Sequence, residues 1–154
     1  MRRPSLAHAP APDPQPRRLR WRRMTMPSRR DAVAPTVRRI LAALEPVGLE
    51  GEQLGNLEIA LVEALANAAV HGNRLHEPSQ VRISVGVAPG REAAVRITDS
   101  GSGFDHAAVH DPTHPERVLA TGGRGVFLMR RLVDSLEYNA AGNSVRLGVR
   151  RRQG

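Results

Sequence analysis

The chain has 154 residues, 40% of them hydrophobic and none of them cysteine, which suits one domain with a real core and excludes a disulfide framework. Its net charge of +8 is carried by the first 30 residues, where nine arginines face only Asp13, while the other 124 hold 14 arginines and 14 acids. That neutral remainder, with 3% aromatic residues, gives little for base stacking or groove docking and argues against direct nucleic-acid binding.

No apolar run is long enough to span a bilayer. The basic N-terminus is broken by prolines and has no apolar segment behind it, so it does not read as a secretory signal. The expectation is a soluble, cytoplasmic protein without a membrane partner. Every basic residue is Arg and none is Lys, which reads as genomic composition bias.

Residues 1–16 carry Pro4, Pro10, Pro12, Pro14 and Pro16 and little that packs, so residues 1–18 are expected to be a disordered Arg/Pro-rich arm. Met24 and Met26 offer alternative starts. Leu19, Trp21, Met24 and Met26 suggest a strand with basic residues on its exposed side. Ser28 followed by Asp31 resembles a capping box. Val33, Val37, Ile40, Leu41 and Leu44 then have helical spacing up to Pro46, with Pro35 marking a later start or a kink. A linker is expected from Pro46 to Gly55.

The run Ile59–Val70, IALVEALANAAV, is rich in Ala and Leu, lacks Gly and Pro, and predicts a buried helix closed by Gly72 and Asn73. Leu57, Leu61, Leu65 and Ala68 form its core stripe. Its two polar residues, Glu63 and Asn67, lie four apart and share the other face, with Ile59, Val70 and His71 close by. Val81, Ile83, Val85 and Val87 alternate with polar or small residues. Pro89-Gly90 turns the chain into Val95 and Ile97, giving an antiparallel hairpin that runs into Asp99-Ser-Gly-Ser-Gly-Phe104. Residues 105–121 read as a mobile loop. Thr121-Gly-Gly-Arg-Gly125 opens a third helix, with Val126, Met129, Leu132, Val133 and Leu136 apolar. Leu136–Ala140 and Val145–Val149 close a last hairpin around Gly142-Asn143. The sum is one α+β domain over residues 19–152, a two-layer sandwich of a mostly antiparallel sheet with helices on one face.

Three features carry chemistry together. The Gly-rich turns let backbone approach a ligand, and at a helix N-terminus their N–H groups and the helix dipole suit phosphate. Asp99 has a carboxylate free to accept from an exocyclic amine such as that of adenine. Asn67 offers a neutral oxygen to Mg²⁺, which takes few protein ligands. Glu63 is placed to take a proton from a nucleophile attacking a γ-phosphate. A Glu–Asn pair satisfied by backbone groups is the structural alternative for Glu63 and Asn67 taken alone.

These segments resemble the N, G1 and G2 boxes of the GHKL (Bergerat) ATP-binding fold. More narrowly, EALANAAVHGN at Glu63–Asn73, DSGSGF at Asp99–Phe104 and GGRGVFLM at Gly122–Met129 look like the anti-sigma-factor serine-protein kinases. The resemblance implies a bacterial ATP-dependent kinase with Glu63 as general base and Asn67 as Mg²⁺ ligand. Asp99 would hold the adenine amino group, Gly101 and Gly103 would shape its pocket, and Gly123, Gly125 and the helix N-terminus at Val126 would meet phosphates. Arg124, between those glycines, is a candidate contact for a phosphate or the partner protein, with a plain surface role as the alternative. Residues 105–121 correspond to the ATP lid. The implied partners are a sigma factor and an anti-anti-sigma (STAS-type) protein phosphorylated on serine, with a homodimer as the assembly. Ser144 stands where the family often has threonine.

Two other readings stand beside this one. One is a nucleotide-gated binding module with little or no kinase activity; the other is the detached catalytic domain of a histidine kinase. His106, His110 and His114 repeat beside Asp111, but Pro112 and Pro115 interrupt any helix, so an exposed loop is preferred to a metal site. His71 reads as a helix-closing or pocket-edge residue.

Overall fold

The computed structural model describes residues 18–104 and 123–153. The disordered arm expected at residues 1–18 lies outside them except for Arg18. The lid at 105–121 and the histidines at 106, 110 and 114 lie outside them too.

Five strands form one sheet in the order β1-β2-β3-β5-β4: β1 Arg20–Pro27, β2 Gln80–Ala88, β3 Glu92–Thr98, β4 Ser135–Tyr138 and β5 Ser144–Arg150. All four pairings are antiparallel. Three helices, α1 Val33–Leu44, α2 Gly51–Asn67 and α3 Gly123–Leu132, bury their apolar stripes against one face of it. The architecture is therefore the α+β two-layer sandwich the sequence implies. Val81, Ile83 and Val85 of β2, Val95 and Ile97 of β3 and Leu147 of β5 meet Val37, Ile40, Leu57, Leu61, Leu65 and Met129 in one core. Alternation at period two in the strands and at helical spacing opposite them makes this the only way both patterns reach a dry interior.

Several local expectations need correction. Ser28 and Asp31 form no capping box: the short 3-10 turn Arg30–Ala32 before α1 has no side-chain cap. Ser28 is instead fully buried and donates to the Ser79 carbonyl, while Asp31 pairs with Arg29. Pro35 is the third residue of α1 and causes no break, because first-turn N–H groups have no intrahelical partner to lose. There is no linker to Gly55. Gly48 ends the preceding turn with φ of 74°, Glu50 is extended, and α2 starts at Gly51. Leu54 packs against the core from this earlier turn. Leu136 belongs to β4, not to the helix.

In β1, Met24 and Met26 share the core-facing parity, whereas Trp21, an odd number of residues from both, lies on the open side and is 44% exposed. Helix α2 is not buried all round either. Its core stripe is dry, but Ile59 is 48% and Val62 40% exposed, and Glu63 and Asn67 are half-buried. The helices form a single layer, so α2 has the sheet beneath and α1 and α3 at its flanks, and its outer side stays open. Among the described residues no helix is long and apolar enough to cross a membrane.

Candidate functional site

The site forms where α2 and β3 end side by side. Beyond Asn67 the helix widens into a π-helical turn, Ala68–Gly72, closed by the Asn73 N–H donating to the Ala68 carbonyl at 2.8 Å. Arg74 and Leu75 follow with φ of 51° and 55°. Two consecutive non-glycine residues in the left-handed region are unusual, and π turns of this kind concentrate at functional sites. Within this turn Gly72 lies directly on Asp99: a Cβ at 72 would lie 2.2 Å from the Asp99 carboxyl carbon. Only a glycine permits that approach.

Asp99 follows the last residue of β3. Its N–H donates to the Asn143 carbonyl at 3.0 Å, and its Oδ1 accepts from the Gly101 N–H at 2.8 Å. Burial pushes its carboxyl pKa up, and the Gly101 hydrogen bond opposes that rise only in part. Gly103 has φ of 80° and sits against the Ala141 carbonyl with no room for a side chain. Asn143 donates back to the Gly101 carbonyl at 3.3 Å, so the β4–β5 turn clamps the glycine loop from the other side.

These elements enclose a cavity of about 470 Å³. Asn67, His71 and Gly72 line one wall, Asp99, Gly101 and Gly103 the floor, and Val126 with Tyr138 the apolar remainder. Phe104 meets Tyr138 edge to face at 5.1 Å between centroids. Burial raises the Tyr138 phenol to about 12, with Arg130 opposing, so it stays protonated at neutral pH.

Of the residues singled out in the sequence, Asn67, Asp99, Gly101, Gly103 and Val126 line this one cavity. Val126 is buried in its wall. Glu63 and Gly125 meet just beside it: a Cβ at 125 would lie 2.9 Å from Glu63 Oε2 and 3.3 Å from Asn67 Nδ2. The start of α3 is thus seated on the Glu63–Asn67 face of α2. Gly123 is the first residue of α3, and Arg124, next to it, is exposed.

The structure adds residues that the sequence reading treated as mere helix closure. Asn73 is buried, donates to Ser28 Oγ at 2.8 Å, and accepts from the Ser100 N–H at 2.7 Å. Gly72, Asn73 and Asn143 all act on the Asp99 loop. The one signal for Asn73 was a polar residue directly after the helix-ending glycine, which reads equally as an ordinary stop. Ser144 shares a 2.7 Å hydrogen bond with Thr98 Oγ1, so its hydroxyl already has an in-chain partner.

The fit to a purine nucleotide rests on three observations. A buried carboxylate with a raised pKa gains from an N–H donor; Gly72 and Gly101 let their backbones close onto Asp99 and onto each other, which fixes that carboxylate at the cavity; Val126, in the first turn of α3, lines the same cavity, and a helix N-terminus is able to take phosphate. Comparison with known proteins agrees. Residues 26–149 match the family described as histidine kinase-like ATPase domain. The chain is 27% identical over 122 residues to the serine-protein kinase RsbW of Oceanobacillus iheyensis, covering 75% of this chain and 77% of that one. It is 29% identical over 96 residues to RsbW of Bacillus subtilis, spanning 59% of that protein, and 30% identical over 87 residues to an anti-sigma F factor of Clostridium botulinum, spanning 60% of it. With the family match running through the core, the glycine loop and the start of α3 alike, the chain belongs to the histidine kinase-like ATPase family.

Proposed function

We propose that this protein is a cytoplasmic, ATP-dependent serine-protein kinase of the anti-sigma type. It would hold a sigma factor and phosphorylate a serine on an anti-anti-sigma (STAS-type) protein, acting as a homodimer. The observation that carries the reading is the seating of Gly125 against Glu63 and Asn67 beside the Asp99 cavity. It brings a carboxylate, an amide and a helix N-terminus to one mouth. The serine-kinase and anti-sigma names of the relatives support the same class.

In this mechanism Asp99 accepts from the adenine amino group, its carboxylate held in place by the close approach of Gly72 and Gly101. Asn67 would hold Mg²⁺, which supplies charge neutralisation to the phosphates when bound. The first N–H groups of α3, from Gly123 to Val126, face the phosphates, with Arg124 at their edge. Glu63 takes the proton from the attacking serine hydroxyl as its oxygen bonds the γ-phosphorus. The bond to the bridging oxygen breaks and ADP leaves.

Replacing Glu63 by Ala should lower phosphotransfer to the cognate partner by roughly 10² to 10⁴ while leaving sigma-factor capture intact. Unchanged transfer would remove Glu63 from the role of base. A nucleotide-gated binding module is the second reading. It is favoured by one feature: Glu63 is half-exposed and makes no hydrogen bond or ion pair among the described residues, so nothing there orients its carboxylate. Sigma-factor capture under Mg·ATP with no phosphate transferred would select it.

A further inference from the structure

Among the described residues no helix or strand covers the sheet face away from the helices, and its register places like charges together. One row across the strands reads Arg23, Ser84, Arg96, Arg146, Glu137. The next reads Thr25, Arg82, Thr98, Ser144. Arg96 and Arg146 are direct cross-strand partners, an arrangement that costs stability when both carry the same charge. Arg23, Arg82 and Arg96 are exposed and have no carboxylate within 4.0 Å among the described residues. Arg146 has only a 3.9 Å approach to the exposed Glu137. On the other side of the arginine row runs Trp21, Gly86, Ala94, Gly148, Ser135, where Trp21 covers Gly86 and Ser135 covers Gly148, so the charged rows are the accessible part of this face.

We propose that this face docks an acidic, extended segment of a partner protein, its carboxylates bridging Arg23, Arg82, Arg96 and Arg146. The inference is independent of the phosphotransfer reading. Neutralising the Arg96–Arg146 pair is a gain the free protein lacks, and guanidinium forks match carboxylates two bonds at a time. A second copy packed face to face would set these arginines against themselves in an isologous contact. The chain's own first 17 residues are no better suited, since they hold Arg2, Arg3 and Arg17 against Asp13 alone. Single-stranded nucleic acid is disfavoured because the one aromatic ring on this face is already used. Trp21 lies on Gly86, with three ring atoms 3.0 Å from where a Cβ would be, and the Arg96 guanidinium sits over the ring at 5.7 Å. Base stacking needs such a face free.

Trp21 is the only tryptophan, so its fluorescence reports directly on this surface. The test titrates the full chain with a dodecapeptide of alternating glutamate and threonine. The same peptide with glutamine for glutamate, and an oligothymidine of equal charge, serve as controls. The expected result is a saturable Trp21 response to the glutamate peptide alone, weakening as salt rises. The double variant Arg82→Thr/Arg146→Thr keeps the Arg96–Trp21 contact. It should bind the peptide at least about ten-fold more weakly, a loss of roughly 1.4 kcal/mol, with ATP affinity unchanged and a Tm equal or higher because the like-charge pair is gone. No Trp21 response, or equal affinity in the variant, would overturn the proposal by moving binding to the arm or nowhere. Tighter binding of oligothymidine through the same arginines would overturn it in favour of nucleic acid.

Discussion

At Gly125 the missing methyl group leaves room for the end of the Glu63 side chain. A Cβ there meets the end of the Glu63 side chain at 2.9 Å, and a flexible carboxylate can swing away at small cost to the fold. Gly125→Ala should therefore keep its Tm and most of its ATP affinity while phosphotransfer falls on the order of a hundred-fold, the usual penalty for an ångström of misplacement. Equal losses of binding and transfer would mean that Gly125 serves the pocket rather than Glu63. Asp99 carries a different signature. Because burial raises its pKa above 3.8, the ionised form is disfavoured in the folded state. The native state thus bears a penalty above the raised pKa that is absent below the ordinary value. Asp99→Asn should melt at higher temperature than the parent at pH 7, with the gap closing as pH falls toward 4. ATP affinity should drop in the same variant. A variant less stable at pH 7 would contradict the assignment of burial as the dominant cause.

Elements meet at this site through backbone rather than through apolar surface. The π turn Ala68–Gly72, the β3 end and the β4–β5 turn are tied by the Asn73, Asp99 and Asn143 hydrogen bonds. Asn73 also links them to Ser28, directly after β1. Asn73→Ala removes the amide that ties Ser28 Oγ to the Ser100 N–H, so chemical denaturation should show a loss of about 1 to 2 kcal/mol. ATP affinity should fall with it as the Asp99 loop loosens; a stable variant with normal affinity would make the network incidental.

This level is also where the sequence was least legible. Periodicity located α1, the β2–β3 hairpin and the core stripe of α2, because each buries one face and burial leaves a repeating mark. Nothing periodic marks a π turn, and a helix stop at Gly72-Asn73 looks the same whether or not it carries a network. Trp21 misled for a related reason: a large apolar residue was grouped with Met24 and Met26, although alternation puts it on the opposite face. Leu54 and Gly55 were assigned to a linker because a glycine outweighed the apolar spacing that continued through it. Of the candidate site, the residue types at Glu63, Asn67, Asp99 and Gly125 were legible together, since glycines and lone polar groups in apolar runs stand out singly. Their meeting in space was not.

On the scale of the whole molecule, one sheet face is spent on the core and the Asp99 cavity, and the other is charged and uncovered among the described residues. The helix layer lies over β2, β3 and β5 at the core, so truncating a central side chain should affect everything at once. Leu61→Ala, at a fully buried position, should cost about 2 to 5 kcal/mol and lower ATP affinity only through the unfolded fraction, restored by working below the Tm. The account as a whole depends on the cavity being a Mg·ATP site. The most direct test is a calorimetric titration of ATP, with and without Mg²⁺, into the protein and its Asn67→Ala variant. The expected result is binding that requires Mg²⁺ and weakens about ten-fold or more in the variant, a difference of roughly 1.4 kcal/mol. No heat of binding to the intact protein, or binding indifferent to both Mg²⁺ and Asn67, would contradict it.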